Sequence, residues 1–160
     1  MGRAFIFGDD IDTDVLAPGN LMKLAPEELA NHCLAAVDPD FAKTVRPGDF
    51  VVAGRNFGLG SSREQAAVSL KVLGVKAVLA PSFARIFFRN AINLGLPALV
   101  FDGRGKIAAG DELDLDLASG RLVNATRGET HQVKTLPGDL LAIIDAGGLI
   151  ELLRRRFAKA

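Results

Sequence analysis

The chain has 160 residues, of which 49% are hydrophobic and 24% charged, the proportions of a soluble globular protein with room for one sizeable core. Nineteen Lys and Arg balance nineteen Asp and Glu, so no net field draws in a polyanion and nucleic acid is excluded as an expected partner. One Cys and two His exclude an internal disulfide and any thiolate cluster built by this chain alone, because iron–sulfur and structural zinc sites need three or four soft ligands.

Taken in chain order, AFIF (4–7) reads as a short strand running into the acidic loop GDDIDTD, which Pro18 and Gly19 close off. The start MGRAFIFGDD lacks the build of a secretory signal, and no apolar run approaches the roughly 18 residues of a membrane span, so a cytoplasmic protein without membrane contact is expected. APEELANHCLAAV (25–37) has the spacing of a helix, with Pro26 in its first turn and Leu29, Cys33, Leu34 and Val37 on one face. DFVVAG (49–54) is a continuous apolar run of strand length. After a glycine turn, SREQAAVSLKVLG reads as helix, VKAVLAP as strand, SFARIFFRNAINLG as a helix ending at Gly95, and LPALVF as strand. This βαβαβ order implies an α/β fold with a parallel core. Beyond Gly110, DELDLDL alternates strictly, RLVNAT and ETHQVKTL continue as half-exposed strands, and GDLLAIIDAGGLIELLRRRF closes with helical turns broken at Gly147 and Gly148. The whole chain, 1–160, is expected to form one domain.

The segment GLGSSREQ (58–65) fails three glycine motifs on its letters. A phosphate-binding P-loop needs a lysine that is missing, a dinucleotide fingerprint needs glycine where Arg63 stands, and no serine sits between two glycines as in a nucleophile elbow. What is left is a turn that delivers Ser61, Ser62 and Arg63 to a helix N-terminus, where unpaired N–H groups, hydroxyls and a guanidinium together suit an anion such as a carboxylate. The same letters fit a capping box, Ser61 with Glu64 or Ser62 with Gln65, and the two uses can coexist.

The loop DDIDTD resembles half a calcium loop, but Val15 and Leu21 stand where glycine and glutamate are needed, so solvated carboxylates in Asx turns are the simpler reading. Its place after a strand end is nevertheless where open α/β sheets keep their sites. Arg85 and Arg89 share a helical face and read as solvated or salt-bridged surface. Cys33 reads as core and His32 as surface.

Together, IDTDVLAPG, VVAGRNFGLGSSREQAA, SFARIFFRNAINLGLP and DAGGLIELL resemble the small-subunit family of 3-isopropylmalate dehydratases in the aconitase superfamily, over about residues 4 to 155. The resemblance implies a swivelling β/β/α domain like the fourth domain of aconitase, with a C-terminal extension of strands and helices. It also implies a separate large subunit that carries a 4Fe-4S cluster and a small dicarboxylic hydroxy acid as substrate. Family roles then fall on Ser61 as the base that exchanges a carbon-bound proton, Ser62 as its hydrogen-bonding assistant and Arg63 as the clamp on a substrate carboxylate. Thr13 and Asp14 match the family's threonine–aspartate pair near the catalytic centre.

One stretch speaks to the substrate. The family has an aromatic–leucine step and then a residue that meets the variable substituent; here the letters are GNLMK. Met22 takes the place where relatives acting on a tricarboxylate favour arginine, which suits an isopropyl group, whereas Asn20 replaces the usual tyrosine and Lys23 lies beside it. The expected function is isomerisation of 2-isopropylmalate and 3-isopropylmalate by dehydration and rehydration, in leucine biosynthesis. Alternatives are a related hydro-lyase acting on homoaconitate, citramalate or 2,3-dimethylmalate, or a non-catalytic anion-binding module.

Overall fold

The buried apolar runs build the centre of the molecule. A computed structural model describes residues 1–158. Its strands β1 (Gly2–Ile6), β2 (Phe50–Val52), β3 (Ala77–Ala80) and β4 (Ala98–Val100) pair in parallel. On the other side of β1, β5 (Glu112–Asp116), β6 (Arg121–Asn124) and β7 (Glu129–Gln132) continue the sheet in antiparallel pairing, giving the order β4-β3-β2-β1-β5-β6-β7. The alternation in ELDLD has the consequence expected of period-two patterning: Leu113 and Leu115 are buried and the acids between them face water.

Both faces of the parallel half are covered. Val51, Val78 and Ala98 point into one apolar cluster with residues of the helices, while Phe50, Val52, Ala77, Leu79 and Leu99 point into a second with Leu113, Leu115 and Leu122. The sheet therefore curls until its antiparallel half lies over the back of its parallel half, a β/β/α layering. Each large side chain buried this way contributes about 1.5–3 kcal/mol.

The helical layer comprises α1 (Thr13–Leu16), α2 (Pro26–Ala30), α3 (Phe41–Thr44), α4 (Gln65–Val72), α5 (Arg85–Asn93), α6 (Gly138–Asp145) and α7 (Leu149–Ala158). The helix expected over 25–37 is shorter than its spacing suggests. It ends at Ala30, and the chain then turns through Leu34, whose φ is +61° and whose N–H donates to the Val15 carbonyl at 3.0 Å. That turn puts both Cys33 and Leu34 fully inside, so tertiary burial overrides helical continuity. Gly147 and Gly148 separate α6 from α7, as their positions in the sequence suggest. Among the described residues no helix is long and apolar enough to cross a membrane.

Because β1, β2 and β3 run in parallel, the loops leaving their C-terminal ends, 7–12, 53–64 and 81–84, emerge at the same end of the sheet. The acidic loop, the glycine turn and the start of SFARIF are thereby brought together.

Candidate active site

These three loops are stitched to one another mainly by backbone. The Gly54 N–H donates to the Gly8 carbonyl, Asp10 N–H to Arg55 O, Gly58 N–H to Ile11 O and Thr13 N–H to Leu59 O, at 2.7 to 3.0 Å. The carboxylates of the acidic loop add to this: Asp9 Oδ1 accepts from the Arg55 N–H at 2.7 Å, Asp10 Oδ1 from Asn56 Nδ2 at 3.0 Å, and Asp12 Oδ1 from the Val15 N–H at 2.8 Å. Asp9 and Asp10 thus tie two loops together while staying exposed, and Asp12 caps α1 within its own loop, so the Asx-turn reading of solvated carboxylates holds and gains the cross-loop bonds. On the third loop, Ser82 Oγ accepts from the Asn56 N–H at 2.9 Å, and Ala84 N–H donates to the Phe57 carbonyl. Ser82 and Asn56 are positioning residues that sequence reasoning missed. The one available signal was Asn56 itself, a residue type that tolerates the left-handed φ of +59° it adopts.

The glycine turn needs its glycines at two points. Gly58 has φ +84°, and a Cβ there would stand 2.2 Å from the Phe87 ring; Gly60 has φ +118°, and a Cβ there would press on Thr13 Oγ1 at 3.0 Å. Beneath the turn, Phe57 is fully buried and meets Phe87 edge-on with ring centroids 5.1 Å apart. Helix α5 thus forms the floor that holds the turn in place.

On that floor the sequence-predicted residues come together. Thr13 is buried, and its Oγ1 accepts from the Ser61 N–H at 3.1 Å while lying 3.2 Å from Ser61 Oγ. Either hydroxyl can donate in the Thr13–Ser61 pair; with the Thr13 hydroxyl as donor, the arrangement favours a serine alkoxide. Arg63 Nη1 donates to Asp14 Oδ1 at 3.2 Å and to the Ala17 carbonyl at 2.9 Å. Its Nε and Nη2 have no acceptor among the described residues, and that edge of the guanidinium is a two-pronged fork matched to a carboxylate. Asp14 is held below the usual carboxylate range, first by the Gly19 N–H and then by the Arg63 guanidinium.

Ser61 and Ser62 are exposed, and neither caps a helix. The capping-box alternative is not realised: α4 begins at Gln65, Glu64 stands at its N-cap, and no side chain bonds the first turn. The helix starts too late for either serine to cap it, and Ser61 is engaged by the Thr13 hydroxyl instead. The backbone N–H groups of Ser62, Arg63 and Glu64, just before the first turn of α4, have no acceptor among the described residues, so unpaired donors lie in the same stretch as two hydroxyls and a guanidinium.

The remaining candidates make no hydrogen bond to this cluster among the described residues. Met22 is half-buried and packs on the core, Asn20 and Lys23 are exposed, and Arg85 and Arg89 are exposed without ion pairs among the described residues. Cys33 is fully buried, and burial pushes its thiol far up. Among the described residues no group of three or more His, Cys, Asp or Glu could hold a metal ion.

The Aconitase C-terminal domain family matches residues 30–104. A 3-isopropylmalate dehydratase small subunit from Archaeoglobus fulgidus is 52% identical over 157 residues, covering 97% of this chain and 94% of that protein. The chain belongs to the 3-isopropylmalate dehydratase small-subunit family. Another member, from Methanosarcina mazei, is 53% identical over 96% of both chains, and the isopropylmalate/citramalate isomerase small subunit of Methanocaldococcus jannaschii is 46% identical over 99% of this chain and 96% of its own. A crystal structure of 3-isopropylmalate dehydratase from the same Methanocaldococcus species superposes with a TM-score of 0.93 at 46% identity, covering 98% of this chain and 94% of that one. In this family the curled β/β/α architecture is thus already known from a solved structure.

Proposed function

We propose that this chain is the small subunit of a 3-isopropylmalate dehydratase, joined to a large subunit to interconvert 2-isopropylmalate and 3-isopropylmalate by loss and return of water in leucine biosynthesis. One observation carries the reading: the Ser61 hydroxyl is clamped by Thr13 beside an arginine whose fork is free. The free edge of Arg63 binds a substrate carboxylate by two parallel hydrogen bonds, while Asp14 and the Ala17 carbonyl hold the other edge still. Ser61 Oγ then takes the proton from the adjacent carbon and later returns it. A serine is a poor base unless its alkoxide is stabilised, and here Thr13, the unpaired amides and the guanidinium all favour that charge. Ser62 hydrogen-bonds the bound diacid, and Met22 borders its variable substituent.

The chain's own residues do not fit an iron–sulfur cluster, since its single cysteine is sealed in the core. The 4Fe-4S cluster that polarises the departing hydroxyl is assigned to the large subunit.

The test is reconstitution with a large subunit, following the ultraviolet absorbance of the unsaturated intermediate. Ser61→Ala should lower kcat by about 10²–10⁴-fold with the complex intact. Turnover unchanged by Ser61→Ala would leave this chain as a non-catalytic anion-binding module.

A further inference from the structure

The glycine turn displays one large apolar side chain that belongs to neither core cluster. Leu59 stands between Gly58 and Gly60 with 45% of its surface exposed, whereas Phe57, two residues earlier, is fully buried. An exposed leucine alone carries no meaning, but the place of this one does. Its N–H donates to the Asn56 carbonyl at 3.3 Å, its C=O accepts from the Thr13 N–H at 2.8 Å, and it pairs in register with Asp12. Phe87 and Thr13 crowd the glycines on either side, so the turn cannot roll to bury the side chain. Two residues of chain span at most about 7 Å, so Leu59 is held close to Ser61 by the same bonds that hold Thr13.

We infer that Leu59 is a specificity-determining residue, supplying the apolar contact for the substituent that distinguishes isopropylmalate from smaller diacids. The inference rests on the proposed function and extends it. In 3-isopropylmalate the branched group sits on the carbon that loses its proton, and in 2-isopropylmalate it sits on the neighbouring carbon. In either direction it lies within two bonds of the atom that Ser61 serves. A clamped, solvent-facing leucine beside that atom gives the isopropyl group an apolar surface to cover and offers much less to a methyl group.

The experiment uses the holoenzyme, this chain with its large subunit, and compares 2-isopropylmalate with citramalate. Leu59→Ala should lower kcat/KM for isopropylmalate about tenfold, mainly through KM, and that for citramalate less than about twofold. The affinity of the two subunits, measured by titration, should not change. Equal losses on both substrates, or a loss that vanishes at saturating large subunit, would overturn the inference and make Leu59 a structural or subunit-contact residue. A wild-type holoenzyme that converts neither substrate would overturn the proposed function as well. A working wild type with an unselective Leu59→Ala would overturn only the role of Leu59.

Discussion

Thr13 is buried and its hydroxyl meets Ser61, so one buried side chain fixes both the backbone and the hydroxyl of the proposed base. Thr13→Val keeps that shape and removes both contacts. Because a misplacement of about 1 Å at a reacting group costs about 10²-fold, kcat of the reconstituted enzyme should fall by about that factor while the fold, followed by circular dichroism, is retained. Asp14 gives a pH prediction. Its folded-state pKa lies below the unfolded value, so the stabilisation from its pairing with Gly19 N–H and Arg63 is complete above the unfolded value and is lost only as pH falls through the folded one. Asp14→Asn should raise KM for the diacid at neutral pH by about tenfold, with a smaller effect on kcat, because the fork of Arg63 is then less firmly held. The identities of Thr13, Asp14, Ser61 and Arg63 were legible as letters. Their contact was not, because Thr13 and Ser61 are 48 residues apart and only strand pairing brings them together.

At the scale of elements, α5 is a support for the site as well as a crossover. Phe87 fills the space under Gly58 and packs against Phe57, so Phe87→Ala should lower stability by about 3–5 kcal/mol in a denaturant titration. It should also reduce kcat by loosening the turn above it. The elements most plainly written in the sequence were those decided by local pattern: the alternating ELDLD strand, the apolar runs of β2 and β3, and the break at Gly147 and Gly148. Those misread were decided from a distance. The helical spacing over 25–37 is genuine, but the Leu34 N–H finds the Val15 carbonyl and the helix stops at Ala30. The capping box was a sound local reading too, but α4 starts only at Gln65, beyond both serines, and Ser61 is met by the Thr13 hydroxyl from another loop. The aspartates of the acidic loop are exposed as their letters suggest, but the bonds from Asp9 and Asp10 to the glycine turn were not legible locally.

For the whole molecule, the βαβαβ order made a parallel core legible, whereas the strand order and the curl that lays β5 and β6 over its back depend on β1 pairing with both halves. That curl leaves the strand C-termini free, so the three site loops stand together at one end of the sheet. The proposed site presents the Ser61 hydroxyl, the free edge of Arg63 and unpaired amides, and Ser61 and Ser62 are exposed. Closure by a large subunit would supply the water-excluded setting in which such electrostatics gain strength. The most direct measurement is hydrogen isotope exchange: incubate 3-isopropylmalate with the reconstituted enzyme in deuterated water and determine label at the substrate carbon by mass spectrometry. Wild type should incorporate deuterium during turnover, and Ser61→Ala should bind the diacid yet leave that carbon unlabelled; labelling by Ser61→Ala at the wild-type rate would contradict Ser61 as the group that moves the proton.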